Sequence, residues 1–180
     1  AYDSIKKTEN IIKSGSQVRM LNEVGKKVTT SVESYFNEMG QFETLKNYEW
    51  EYILIDDPDT LNAWCMPGGK IAFYTGILDI TENQDGMASV MGHEIAHAVA
   101  KHSLERASQS LALKVGTTIL DIALEGALSS SSADDYLVNL GLTLPFNRLQ
   151  ESEADYLGLS FMTMAKYDNN EAYKVWERMQ

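Results

Sequence analysis

A chain of 180 residues with 44% hydrophobic content is long enough to bury one core and too short to argue for two, so residues 1–180 are expected to form a single domain. Its 26 acidic residues outnumber its 15 basic ones, and the net charge of −11 repels phosphate backbones and anionic membrane surfaces, which sets nucleic acid aside as a partner. A single cysteine, Cys65, cannot build a disulfide framework or a cysteine zinc cluster, no stretch reaches the ~20 apolar residues of a transmembrane helix, and the first residues lack the layout of a secretion signal.

In the N-terminal helical region, residues 1–47, Val18, Leu21, Val24, Val28, Val32, Tyr35, Phe36 and Met39 recur at helical spacing and predict a long amphipathic helix. A small β-sheet is expected over residues 48–76. There Tyr48, Trp50, Tyr52 and Leu54 alternate with Glu49, Glu51 and Ile53, and Asp56-Asp57-Pro58-Asp59 ends the run as a turn. Two further extended pieces, Asn62 to Met66 and Lys70 to Thr75, flank Pro67-Gly68-Gly69, a reversal that predicts an antiparallel arrangement.

Thr81 or Asn83 can cap the next helix, expected over 81–109, with Met87, Val90, Met91, Ile95, Ala98 and Val99 facing inward. Leu111 to Leu128 is a further apolar helical stretch, and Ser129 to Ser132 reads as a mobile loop. A helix over 149–166 carries Glu151, Ala154, Asp155, Leu157, Phe161 and Met162. A break near Asp168-Asn169-Asn170 precedes a last helical segment, Glu171 to Met179. Helices around a small sheet make this an α+β chain.

His93-Glu94-Ile95-Ala96-His97 carries the chemistry. Histidines four apart on a helix lie about 40° apart around its axis, so both imidazoles reach one ion. Glu94 points about 100° away from His93, within reach of a water at the metal, where a general base belongs. A catalytic zinc ion needs one more protein ligand. His102 is nine residues beyond His93 and faces the other side of the helix. Glu151 fits better, with Asp155 one turn later to accept the spare N–H of an imidazole. The set predicts one Zn²⁺ per chain on His93, His97 and Glu151, with Glu94 and Asp155 as catalytic and supporting acids, hydrolysing peptide bonds. An extended or unfolded polypeptide is the expected substrate. It would lie along a sheet edge, either Asn62 to Met66, with Asn62, Ala63 and Trp64 as candidate substrate-binding residues, or Lys70 to Thr75.

These residues resemble the M48 family of zinc metallopeptidases. The match runs through Asn62 to Ile71 with Tyr74 to Leu78, His93 to His97 with Ala100-Lys101-His102, Glu151-Ser152-Glu153-Ala154-Asp155, and Tyr167-Asp168 with Ala172 and Trp176-Glu177. The resemblance implies a mostly helical gluzincin fold with an antiparallel sheet beside the HExxH helix, and the same ligands, base and supporting acid. It is closest to the soluble, periplasmic-type branch, which implies protein quality control in a bacterial cell envelope. Family members often carry a further His or Arg beyond the third ligand to steady the oxyanion, a task left here to Arg148 or a tyrosine. Two other readings share the motif: a zinc-dependent chaperone-like module that grips chains without cutting, and a latent peptidase whose Ser129 to Asp135 segment blocks the cleft.

Overall fold

The computed structural model describes residues 2–101 and 143–179. Its elements, in chain order, are α1 (Tyr2–Thr8), β1 (Ile11–Ile12), α2 (Ser16–Glu38), a 3₁₀ turn (Phe42–Leu45), β2 (Glu51–Ile55), β3 (Ala63–Met66), β4 (Lys70–Tyr74), a second 3₁₀ turn (Thr75–Ile77), α3 (Leu78–Thr81), α4 (Gln84–Val99), α5 (Thr143–Met164) and α6 (Asn170–Arg178). The chain divides into two units, Ala1–Ala100 with Ala154–Gln180, and Lys101–Glu153. The division falls inside α5, which is one continuous helix. The expected stretch Leu111 to Leu128 and the serine loop lie outside the described residues, as does the segment assigned to latency.

In the first unit, the four strands form one sheet in the order β1-β2-β4-β3. The sheet is mixed, not wholly antiparallel as the sequence suggests. β3 and β4 are an antiparallel hairpin with Cys65 opposite Ile71, and β1 runs antiparallel to β2, but β2 and β4 are parallel, with Ile53 opposite Ala72. The chain from Asp56 to Asn62 carries it past β4, so β3 is laid down outside and β4 returns between β3 and β2. The hairpin turn is as expected: Pro67 precedes Gly68 and Gly69, whose φ values of 96° and 87° are open to glycine at little cost.

The strands alternate between two faces. Leu54, Ala63, Ile71 and Phe73 join Leu21, Val24, Val28 and Val32 of α2 and Met87, Met91 and Ile95 of α4 in the main core. Ile53, Ile55 and Ala72 form a second cluster on the opposite face, with Tyr2 and Ile5 of α1 and with Trp64 against it. Each large apolar side chain buried this way contributes about 1.5–3 kcal/mol. α2 follows from its spacing: Leu21, Val24, Val28, Val32 and Phe36 form its buried stripe. α4 differs, since every residue from Gly86 to His93 is buried, as expected of a helix enclosed on all sides.

Candidate metal centre

Asn83 starts α4. Its side-chain oxygen accepts the Gly86 N–H at 2.9 Å, a cap worth ~1 kcal/mol. The other candidate, Thr81, ends α3 and donates its hydroxyl to the Leu78 carbonyl. α4 ends at Val99, and Lys101 takes a left-handed φ of 62° that ends helical geometry. The helix is therefore shorter than the span 81–109, starting at Gln84 and closing before Lys101, and His102 lies outside the described residues.

Within this frame His93 and His97 share one face of α4. Their Nε2 atoms lie 3.0 Å apart and their ring centroids 4.7 Å apart. His93 is buried, and its Nδ1 lies 3.0 Å from Asp155 Oδ1 on α5. A carboxylate only accepts, so the proton of this bond sits on Nδ1 and leaves the Nε2 lone pair as the donor to an ion. Glu151 precedes Asp155 on α5 by four residues, one turn along the same face.

The approach of α4 to α5 rests on two glycines. A β-carbon on Gly92 would lie 2.9 Å from the Gly158 carbonyl oxygen, and one on Gly158 would lie 2.9 Å from the His93 backbone nitrogen. Only glycine at both positions lets the backbones touch, and that contact sits beside His93 and one turn beyond Asp155. Sequence reasoning did not find this pair, whose only local trace is a residue without a side chain directly before His93 and another three residues after Asp155.

Glu94 is half-buried. Its charge acts on Cys65 of β3, whose thiol is pushed well above the usual range, first by burial and then by Glu94, so the carboxylate and β3 are neighbours. Among the described residues β3 is an edge in the strand order and β4 is internal, so of the two candidate segments Asn62 to Met66 is the one at an edge. The Tyr74 N–H donates to the Asn62 carbonyl at 3.1 Å. Along an antiparallel pair this bonding alternates, so Trp64 pairs inward with Ala72 while the backbone groups of Ala63 and Cys65 face the outer edge. The Ala63 N–H is engaged by the side-chain oxygen of Asn62 at 2.9 Å. The Trp64 side chain lies on the other face of the sheet, edge to face with Tyr2 at 6.4 Å. Ala63 is buried in the main core, and Asn62 is exposed.

One further side chain borders the histidines. Trp176 of α6 packs edge to face on His93, with ring centroids 5.2 Å apart. Arg178 is held elsewhere: it contacts Glu171 at 2.7 Å and Glu82 at 3.1 Å, and donates from Nε to the Ile80 carbonyl at 2.6 Å. Arg148 is exposed on α5.

The model of peptidase family M48 matches residues 26–180. The chain belongs to peptidase family M48. The relatives of this M48 chain include mitochondrial metalloendopeptidases named OMA1. It is 42% identical to that of Schizosaccharomyces pombe, over 75% of this chain and 39% of the relative. It is 36% identical to that of Saccharomyces cerevisiae, over 75% and 38%, and 35% identical to that of Arabidopsis thaliana, over 75% and 27%. The M48 chain thus spans about two fifths or less of the length of these relatives. Their mitochondrial names overturn the bacterial periplasmic setting expected above. Membership of M48 implies a catalytic metal, and His93, His97 and Glu151 supply donors able to hold one. No helix among the described residues is long and apolar enough to cross a membrane.

Proposed function

We propose that this chain is the peptidase domain of a zinc endopeptidase that cuts extended or unfolded polypeptides. The carrying observation is the convergence of two imidazole Nε2 atoms, 3.0 Å apart, with one ring fixed from behind by Asp155 at 3.0 Å. Two histidines and a carboxylate are one of the donor sets of catalytic zinc, so the residues present fit the ion. His93, His97 and Glu151 would hold it, and Asp155 would fix the tautomer and orientation of His93. Zinc, when bound, supplies a Lewis acid that makes water more acidic and stabilises negative charge on a scissile carbonyl oxygen.

The remaining work falls to side chains and backbone. Glu94 takes the proton of the attacking water and returns it to the leaving amine, as a general base and then a general acid. Substrate lies as an added strand along β3, paired with the outward carbonyl of Ala63 and the outward N–H and carbonyl of Cys65, which puts its backbone beside the Glu94 carboxylate. Because that pairing uses main-chain groups, recognition along the strand is loose in sequence.

The test is Glu94→Gln against the wild-type chain, with zinc content measured in both and an unfolded protein such as reduced casein as substrate. Wild type should cut while the variant retains zinc and loses ~100-fold or more in rate. Equal cleavage by the two zinc-loaded proteins would overturn the enzymatic reading. Casein held without cutting by both would identify a gripping module instead.

A further inference from the structure

We infer that Trp176 is a positioning residue for the metal centre: its indole holds the His93 ring edge to face and covers the hydrogen bond from His93 Nδ1 to Asp155. The inference rests on the zinc reading above. The Asp155 side chain is 52% exposed, so water competes for the carboxylate that orients His93. A cavity of about 260 Å³ opens beside this bond, lined by Ser89 and His93 of α4, Asp155 and Leu159 of α5, and Tyr173 and Trp176 of α6. Of the α6 residues that line it, Trp176 has its ring against His93, at 5.2 Å and an interplanar angle of 70°. A hydrogen edge of one ring against the face of the other is a favoured aromatic geometry, and here it restricts rotation of the imidazole.

The indole is not simply core filling. The buried residues of α6 are Glu171, Ala172 and Val175, whereas Trp176 stays 39% exposed at the margin of that stripe. α6 is also anchored at both ends to the region that leads into the histidine helix. The Asp168 N–H, just before α6, donates to Asp85 in the first turn of α4 at 2.8 Å, and Arg178 at its end is held by Glu82 and the Ile80 carbonyl. Those ties set where the indole stands relative to His93 without passing through the indole itself.

The experiment compares zinc-loaded wild type with Trp176→Phe, Trp176→Leu and Trp176→Ala. Zinc affinity is measured by competition with a chromogenic chelator, and solvent exchange of the His93 Nδ1 proton by NMR, with melting of the zinc-free proteins followed in parallel. Trp176→Ala should bind zinc on the order of tenfold more weakly, near the lower end for outer groups that orient ligands, and its Nδ1 proton should exchange faster. Trp176→Phe should restore both properties, while Trp176→Leu, which keeps apolar volume without a ring, should not. Wild-type affinity and exchange in Trp176→Ala, or equal rescue by Leu and Phe, would overturn the inference. If wild type itself takes up no stoichiometric zinc, the metal reading fails first, and is seen to fail independently of Trp176.

Discussion

Gly158→Ala tests whether the contact between α4 and α5 sets the metal centre. The added methyl would stand 2.9 Å from the His93 nitrogen and 3.1 Å from both Gly92 C and His93 Cα, all backbone atoms that have no rotamer to yield. Restoring ordinary contact needs roughly 0.5 Å of separation between the helices. Taken along the line from Asp155 to His93, that stretches a 3.0 Å hydrogen bond to about 3.5 Å, where such a bond is effectively lost. Groups that orient ligands are worth 10–100-fold in metal affinity, about 1.4–2.7 kcal/mol. Overpacking adds a folding cost of ~1–3 kcal/mol, partly offset by the ~1 kcal/mol that alanine gains over glycine within a helix. Zinc competition and thermal melting, run together, should therefore show weaker binding with an unchanged or lower melting temperature. A Gly158→Ala protein that binds zinc like wild type and melts higher would refute the reasoning, because helix propensity alone would then account for the change.

Other substitutions separate the roles of neighbouring residues. Asn83→Ala removes the cap on α4 and should cost ~1 kcal/mol in denaturant unfolding, with zinc affinity changed little, since the histidines lie more than two turns away. Trp64→Ala should lower stability by roughly 1–3 kcal/mol, through loss of its packing on Tyr2, yet leave KM for an unfolded substrate unchanged; a raised KM would place its side chain in substrate binding. Arg178 and then Lys174 hold the Glu171 carboxyl below its ordinary value of 4.5. The ion pair thus adds stability above that ordinary value and loses it as pH falls through the lower folded one. Melting of wild type and Glu171→Gln should differ at neutral pH and converge on acidification, and a gap that persists under acid would mean the pair is not its source.

What the sequence revealed was what neighbours along the chain decide. α2 and the helical placement of His93, His97, Glu151 and Asp155 depend on spacing within a few turns, and they were legible, as was the Pro67 to Gly69 turn. The partners of β2 were not. Its parallel pairing with β4 joins Glu51 to Lys70 across an intervening strand, and alternation of apolar residues carries no record of strand direction. β1 is only two residues long, too short for any periodicity. Trp176 and His93 are 83 residues apart, so the indole could enter only as part of a family resemblance, with no role attached. Gly92 and Gly158 escaped for a related reason: a missing side chain acquires meaning only when another backbone fills the space.

The continuity of α5 from Glu151 through Asp155 to Gly158 makes the spacing of this helix a mechanical constraint. One inserted or deleted residue between Glu151 and Asp155 would turn the two carboxylates about 100° relative to each other and shift them ~1.5 Å along the axis. No rotamer change recovers both positions. The loop from Asp56 to Asn62 faces no such rule, since residues added there change a path over the surface and leave the strand register intact. Length variation among chains of this kind should therefore gather in such loops, while the three-residue gap between Glu151 and Asp155 and the two-residue gap between Asp155 and Gly158 stay fixed.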